Sequence, residues 1–273
     1  VKSLTVNGPL YLVRDVAAER RILNVNGLVQ INNQLVWSDD STKLRFSGDY
    51  SINNINNTIT PTGGTLVSFG VGNSTMNSRL WSDQLRFIIE KQGTVAFPNQ
   101  YNKVKYLEVC TGATMNMNSS NGQLEVLGSF LNNGTILQTT NTIKFGSAGS
   151  YSLFAGSSTF AALEFVAGTY SLTSPNFNVD GTMLIKNGST LNVNSNTLNF
   201  GHSTLSRTLT INGTLNFSLN SQGKFKNTAK IMVQNVRWLS LIGAVDKFVV
   251  FQNQGSGRYE RTINRKGSIA AEY

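Results

Sequence analysis

Between Thr159 and Phe217 the chain reads Leu163-Glu164-Phe165-Val166, Thr169-Tyr170-Ser171-Leu172, Phe177-Asn178-Val179-Asp180-Gly181 and Thr182-Met183-Leu184-Ile185. It continues through Lys186-Asn187-Gly188, Thr190-Leu191-Asn192-Val193, Thr197-Leu198-Asn199-Phe200, Leu209-Thr210-Ile211-Asn212-Gly213 and Thr214-Leu215-Asn216-Phe217. Apolar residues at every second place give each run one face to bury and one to expose, the period of a strand. The Asn-Gly steps between runs supply residues that tolerate positive φ, so the chain can turn within one or two residues.

Working outward, the same phrasing recurs at Leu4-Thr5-Val6-Asn7-Gly8, Ile22-Leu23-Asn24-Val25-Asn26-Gly27 and Gly134-Thr135-Ile136-Leu137. An antiparallel sandwich would read these Asn-Gly steps as type I′ hairpins. A solenoid would read them as corners of a coil whose strands stack in parallel on their equivalents. The strands are only three to five residues long and follow one another at intervals near ten, and self-similar phrases at a regular period mark a stacked array. The expected fold is therefore all-β, a parallel β-helix (β-solenoid) with divergent terminal caps. Its exposed Asn, Ser and Thr would form side-chain ladders that keep a repetitive surface soluble with few charges.

The ends break the rhythm. Val13 to Ile22 has the only helical composition, and reads either as a short helix or turn capping the coil or as a strand interrupted by a charged loop. From Lys230 onward the Asn-Gly steps cease and charge becomes denser around Ile231-Met232-Val233, Trp238 to Ile242, Phe248 to Phe251 and Tyr259 to Ile263. One domain is expected: a solenoid over 1–229, with 230–273 as its second cap or as strands that dock a neighbouring subunit.

Composition agrees with this reading. Of 273 residues 40% are hydrophobic and only 14% charged, and Asn is about one residue in eight. A disordered chain would lack apolar residues to offset its ordering entropy. The net charge of +9 suits an anionic partner such as an acidic polysaccharide, or serves solubility alone. The basic residues form no dense run of the nucleic-acid type; the nearest, Arg258 to Lys266, is broken by Glu260. No window approaches an apolar membrane span. The chain starts at Val1 rather than Met, which fits a trimmed mature protein or a segment of a longer polypeptide.

Few residues invite chemistry. One cysteine (Cys110, read as a buried small hydrophobe) and one histidine (His202, read as a turn residue) cannot furnish a zinc site or a catalytic triad, and no phosphate loop occurs. No metal and no cofactor is expected. A glycosidase would need two carboxylates roughly 5 to 9.5 Å apart. The candidates are Asp39, Asp40 and Asp49, beside Trp37, Lys43, Arg45 and Tyr50, although Trp37 to Thr42 also reads as a plain polar turn. The other aromatics, Trp81, Phe87, Tyr101, Tyr106 and Trp238, read as core or stacking residues.

The run from Phe160 to Phe200-Gly201, with its Val-Asp-Gly-Thr-Met-Leu-Ile and Asn-Gly-Ser-Thr-Leu-Asn-Val phrases, resembles the Asn/Gly/Thr-rich β-solenoid repeats of large bacterial surface adhesins. Those of Bacteroidetes exported by type IX secretion are the nearest, with autotransporter-type passengers as cousins. Phrases between Tyr106 and Ile136 extend the likeness to about half the chain, and no sorting domain is recognisable at the C-terminus. The resemblance implies adhesion or a place in a surface fibre, and carries over no catalytic residues.

The expectation is thus a non-enzymatic structural or adhesive protein, secreted or at the cell surface, that self-associates into a fibre or longer assembly. Its docking face would be the basic set Arg237, Lys247, Arg258, Arg261, Arg265 and Lys266. The alternative is a polysaccharide-binding or polysaccharide-degrading solenoid such as a viral tailspike or lyase.

Overall fold

The computed structural model describes residues 1–12, 21–37, 42–52, 63–77, 80, 82–97, 101–118, 122–194, 196–200 and 208–215 with their side chains. It describes the backbone alone of 59–61, 207, 216–217, 224–227, 231–234, 239–240, 249–252 and 258–259. Among these residues there is no helix, and the strands pair in parallel as a β-solenoid. Two compact units divide the chain, Val1–Asn141 and Thr142–Tyr273.

In the first unit each coil lays down short strands on three walls. One wall stacks Leu4–Val6, Val29–Ile31 and Tyr50–Ile52, and further along it Ser74–Thr75, Gly93–Ala96, Ala113–Asn116 and Thr135–Leu137. A second stacks Ile22–Val25, Lys43–Phe46, Thr65–Ser68, Arg86–Ile89, Tyr106–Val109 and Phe130–Asn132. The third contains Leu10–Leu12, Leu35–Trp37 and Ile59–Pro61, and also Tyr101–Val104 on Gln123–Val126. Because every pairing is in register, inward residues form columns. Leu44, Leu66, Phe87, Leu107 and Phe130 make one such column, and all are buried.

The second unit repeats the principle with larger rings. Ile143, Leu163, Met183 and Leu209 form one column, and Phe145, Phe165, Ile185 and Ile211 another. The Phe145 and Phe165 rings stack at 5.1 Å with 20° between their planes, so like lies on like along the column. Coil length, read from paired residues, ranges from 18 (Ile231 to Val249) to 27 (Thr197 to Lys224). Corners absorb the difference while the walls keep step.

Three strands run to ten residues or more, well beyond the expected three to five: Thr142–Phe154, Thr159–Leu172 and Asn176–Ile185. They bend round corners through register shifts next to Gly146 and between Phe160 and Ala162, so bulges replace the expected turns there. The Asn-Gly corners also differ from expectation. Gly188 has the positive φ, +81°, but Gly27 and Gly213 do not. Glycine stands at those two because coils touch: a Cβ would lie 2.3 Å from the Lys2 carbonyl oxygen at Gly27 and 2.2 Å from that of Lys186 at Gly213.

The change of rhythm at Lys230 is not a change of winding. Ile231–Gln234, Leu239–Ser240 and Val249–Gln252 continue the parallel stack, and the first antiparallel pairing sets Phe251 against Tyr259. Of the expected N-terminal cap, residues 13–20 lie outside the described residues, and Ile22 opens a strand paired on Lys43–Phe46.

Polar residues have two places. Inside the coil, small side chains close backbone groups: Asn102 Oδ1, buried in the strand Tyr101–Val104, accepts the Leu80 N–H at 2.9 Å, and the Ser189 hydroxyl donates to the carbonyls of Lys186 and Phe165. On the outer faces they form ladders. Asn199 Nδ2 donates to Asn178 Oδ1 at 2.7 Å, Asn192 Nδ2 to Ser171 Oγ at 3.4 Å, and Asn32 Nδ2 to Asn7 Oδ1 at 2.8 Å. Ser150, Thr169, Thr190 and Thr214 make a further outward rank.

Between Thr142 and Ile185 of the second unit, charge on the wall is paired across coils. Glu164, facing out one residue from the Phe165 column, takes Lys186 at 2.5 Å and Lys144 at 3.3 Å. Burial alone would raise its carboxyl, but the two ammonium groups outweigh it and hold the carboxyl below its ordinary value.

Two outcomes are expected. Gly64 combines φ of +126° with a virtual Cβ 1.6 Å from the Trp37 ring. Gly64→Ala is therefore expected to lose about 2 kcal/mol or more in urea unfolding, because strain and overpacking act together. For Glu164, a depressed folded pKa means stabilisation that is present at neutral pH and lost as pH falls through that pKa. Glu164→Gln should lower the urea midpoint at pH 7 and leave it nearly unchanged at pH 3.

Candidate functional site on the charged flank

The second wall of the first unit carries the densest charge among the described residues of that unit's walls. Alternation points Leu44, Phe46, Leu66, Phe87, Ile89, Leu107 and Val109 inward, and all are buried. Their neighbours face out in two ranks, Lys43–Thr65–Arg86–Tyr106 and Arg45–Val67–Ile88–Glu108. Thr65 and Val67 face out yet are only 2% and 1% exposed. In register, Lys43 and Arg86 stand either side of Thr65, and Arg45 and Ile88 either side of Val67. Long stems lying over short neighbours account for that burial.

The arginines and carboxylates of this flank have defined settings. The Arg45 guanidinium meets Glu90 at 2.5 Å and lies 4.7 Å over the Phe69 ring. The Arg86 guanidinium lies 4.7 Å over the Tyr106 ring, and the Tyr106 hydroxyl donates to Glu108 Oε2 at 2.9 Å. The other oxygen of Glu108 faces the Cys110 thiol at 3.7 Å. Burial, then the Glu108 bond and charge, push the Tyr106 phenol up to about 12, with Arg86 opposing. Burial, then the carboxylates of Glu108 and Glu90, push the Cys110 thiol up to about 11.

A corner beside this wall holds Lys91, which has no exposed surface. Its ammonium donates to the Ser47 carbonyl. Burial lowers its pKa, and the charge of Asp49 works against that. Asp49 itself sits exposed on the corner, where its Oδ1 accepts the Thr75 N–H at 2.7 Å and ties one coil to the next.

Asp49 is thus a corner staple, while its expected companions Asp39 and Asp40 lie outside the described residues. So do Arg237, Lys247, Arg261, Arg265 and Lys266 of the expected docking set. Arg258 begins the strand paired antiparallel to Val249–Gln252, and only its backbone is described. Cys110 corrects its reading as a buried apolar residue. It is half-buried and faces out beside two carboxylates, one step past the inward Val109. Of the aromatics read as core or stacking residues, Phe87 is core and Tyr106 stacks against Arg86 on the outer flank.

Sequence reasoning missed the grouping of Arg86, Glu90, Tyr106 and Glu108. Alternation marks Arg86, Tyr106 and Glu108 as outward within their strands, and Glu90 follows the strand Arg86–Ile89. Their meeting depends on an inter-coil register that no local pattern announces. Comparison with protein-family models, with curated proteins and with solved structures finds no match to this chain. What defines its class is the fold, a parallel β-solenoid repeat protein.

The raised thiol gives a direct check. Cys110 should react slowly with iodoacetamide at pH 8 compared with a free thiol, and the rate should climb towards pH 11. Glu108→Gln removes one of the raising charges and should quicken alkylation at pH 8 several-fold.

Proposed function

We propose that this chain is a non-enzymatic structural and adhesive solenoid, a subunit of an extracellular surface adhesin or filament. The observation that carries the reading is the tiling of its outer faces by uncharged polar ranks: Asn178 and Ser171 hydrogen-bonded to Asn199 and Asn192, and Ser150, Thr169, Thr190 and Thr214 aligned in register. Such ranks repeat with the backbone, about 4.8 Å per coil. They present a regular hydrogen-bonding surface to a neighbour or a substratum, and their side chains are already ordered by contact with one another. Self-association is the partner this reading implies, with the basic C-terminal residues Arg237 to Lys266 as the docking segment.

A second reading, a solenoid that binds or degrades polysaccharide, draws support from the flank of Arg45, Arg86, Glu90, Tyr106 and Glu108. Both carboxylates there are engaged, Glu90 by Arg45 and Glu108 by Tyr106, which favours holding a ligand over turning one over.

Negative-stain electron microscopy of the purified chain over a range of concentrations is the test. Filaments or regular multimers are expected, weakened by charge reversal at Arg261 and Arg265. Isolated monomers at high concentration would remove the structural reading.

A further inference from the structure

Resting on the adhesive reading, we propose that Arg86, held flat on Tyr106 and ranked with Lys43, is a docking point for the carboxylates of an acidic, uronate-type polysaccharide. Arg86 differs from the other arginine of this wall. Arg45 has Glu90 as its counter-ion. Arg86 has no ion pair among the described residues, and its Nε is buried without an acceptor. The buried Nε is out of a ligand's reach, so a carboxylate would meet the two terminal Nη groups, which no counter-ion among the described residues neutralises.

The group is also positioned in advance. In-register pairing sets Arg86 beside Tyr106, the ring supports the guanidinium at 4.7 Å, and the hydroxyl's bond to Glu108 anchors the ring. Little side-chain freedom remains to be lost on binding. A planar fork of N–H donors matches a carboxylate through two parallel hydrogen bonds, which an ammonium cannot reproduce.

Lys43 explains why a polymer fits better than a single anion. It stands two strands from Arg86 in the same rank, about 10 Å at the spacing of paired strands, with uncharged Thr65 between them. A chain with a carboxylate on each sugar can meet both cations at once, and linked contacts add avidity. Glu108 and Glu90 stand close by and repel an anion. Each is held by its own donor, Tyr106 or Arg45, and their presence keeps the affinity for one isolated carboxylate low.

Binding of the full chain to polygalacturonate, with fully methyl-esterified polygalacturonate as the uncharged counterpart, decides the matter. The wild type should bind the acid form, lose affinity as salt rises, and ignore the ester. Arg86→Gln should weaken binding about tenfold or more, and Arg86→Lys should fall between, since charge remains but the fork is lost. Thermal melts of both variants establish that they fold. Lys2→Gln, the same loss of one positive charge at an exposed residue outside the second wall, should leave binding unchanged. If Arg86→Gln binds the acid form like the wild type, the adhesive reading survives and this site falls. If the wild type binds neither form, the site falls whether or not the chain assembles under the microscope. An Arg86→Lys variant as tight as the wild type would overturn the planar recognition.

Discussion

Backbone pairing between successive coils, in parallel and in register, is the constraint from which the remaining structure follows. Once Leu44 is set on Leu66 and Leu66 on Phe87, every neighbouring position on those strands is assigned too, inward or outward. A slip of one residue would turn each apolar column to solvent and bury its polar neighbours, so the walls cannot drift. Length variation is therefore pushed into corners, where insertions change nothing about the columns. The same logic explains the bulges in the long strands of the second unit, because an extra residue at a corner lets the strand bend while the ring columns stay aligned.

Corners carry the remaining burden, since turning the chain strands backbone groups that a wall would have paired. Asn102 and Ser189 satisfy such groups with side chains, and Asp49 and Lys91 do so with charge. This is why Lys91, buried, and Asp49, exposed, both stand at corners. Their partners are main-chain atoms.

The two units use their outer faces differently. Stacking forces each outward side chain against its counterpart one coil away, so a face is either a ladder of mutually compatible neutral groups or a set of alternating charges and rings. The described walls between Ser150 and Thr214 take mainly the first solution, with their Asn, Ser and Thr ranks. The wall from Lys43 to Val109 takes the second, pairing guanidinium with ring and carboxylate with phenol. Arg86 is the member of that set without an ion pair among the described residues, which is why the proposed docking point is placed there.

Alternation at Leu163 to Phe217 and the Asn-Gly steps were enough to read the all-β solenoid, the inward columns and the polar ladders, because strand period and burial are local properties. Sequence also singled out Asp49, but not its task. The glycine corners were legible as corners and not in mechanism: Gly27 and Gly213 answer to a carbonyl one coil away and not to their own φ. Likewise the fading of Asn-Gly after Lys230 looked like a boundary, while pairing of Ile231–Gln234 and Val249–Gln252 carries the winding onward. Cys110, Tyr106, Arg86 and Glu108 became one cluster only in three dimensions. Sequence by itself determined which side of the wall each of its alternating residues takes, since that depends on the pleat alone. Tertiary structure decided who their neighbours are, because those lie a full coil away, and the length of each coil is set by corner packing that no short stretch of chain contains.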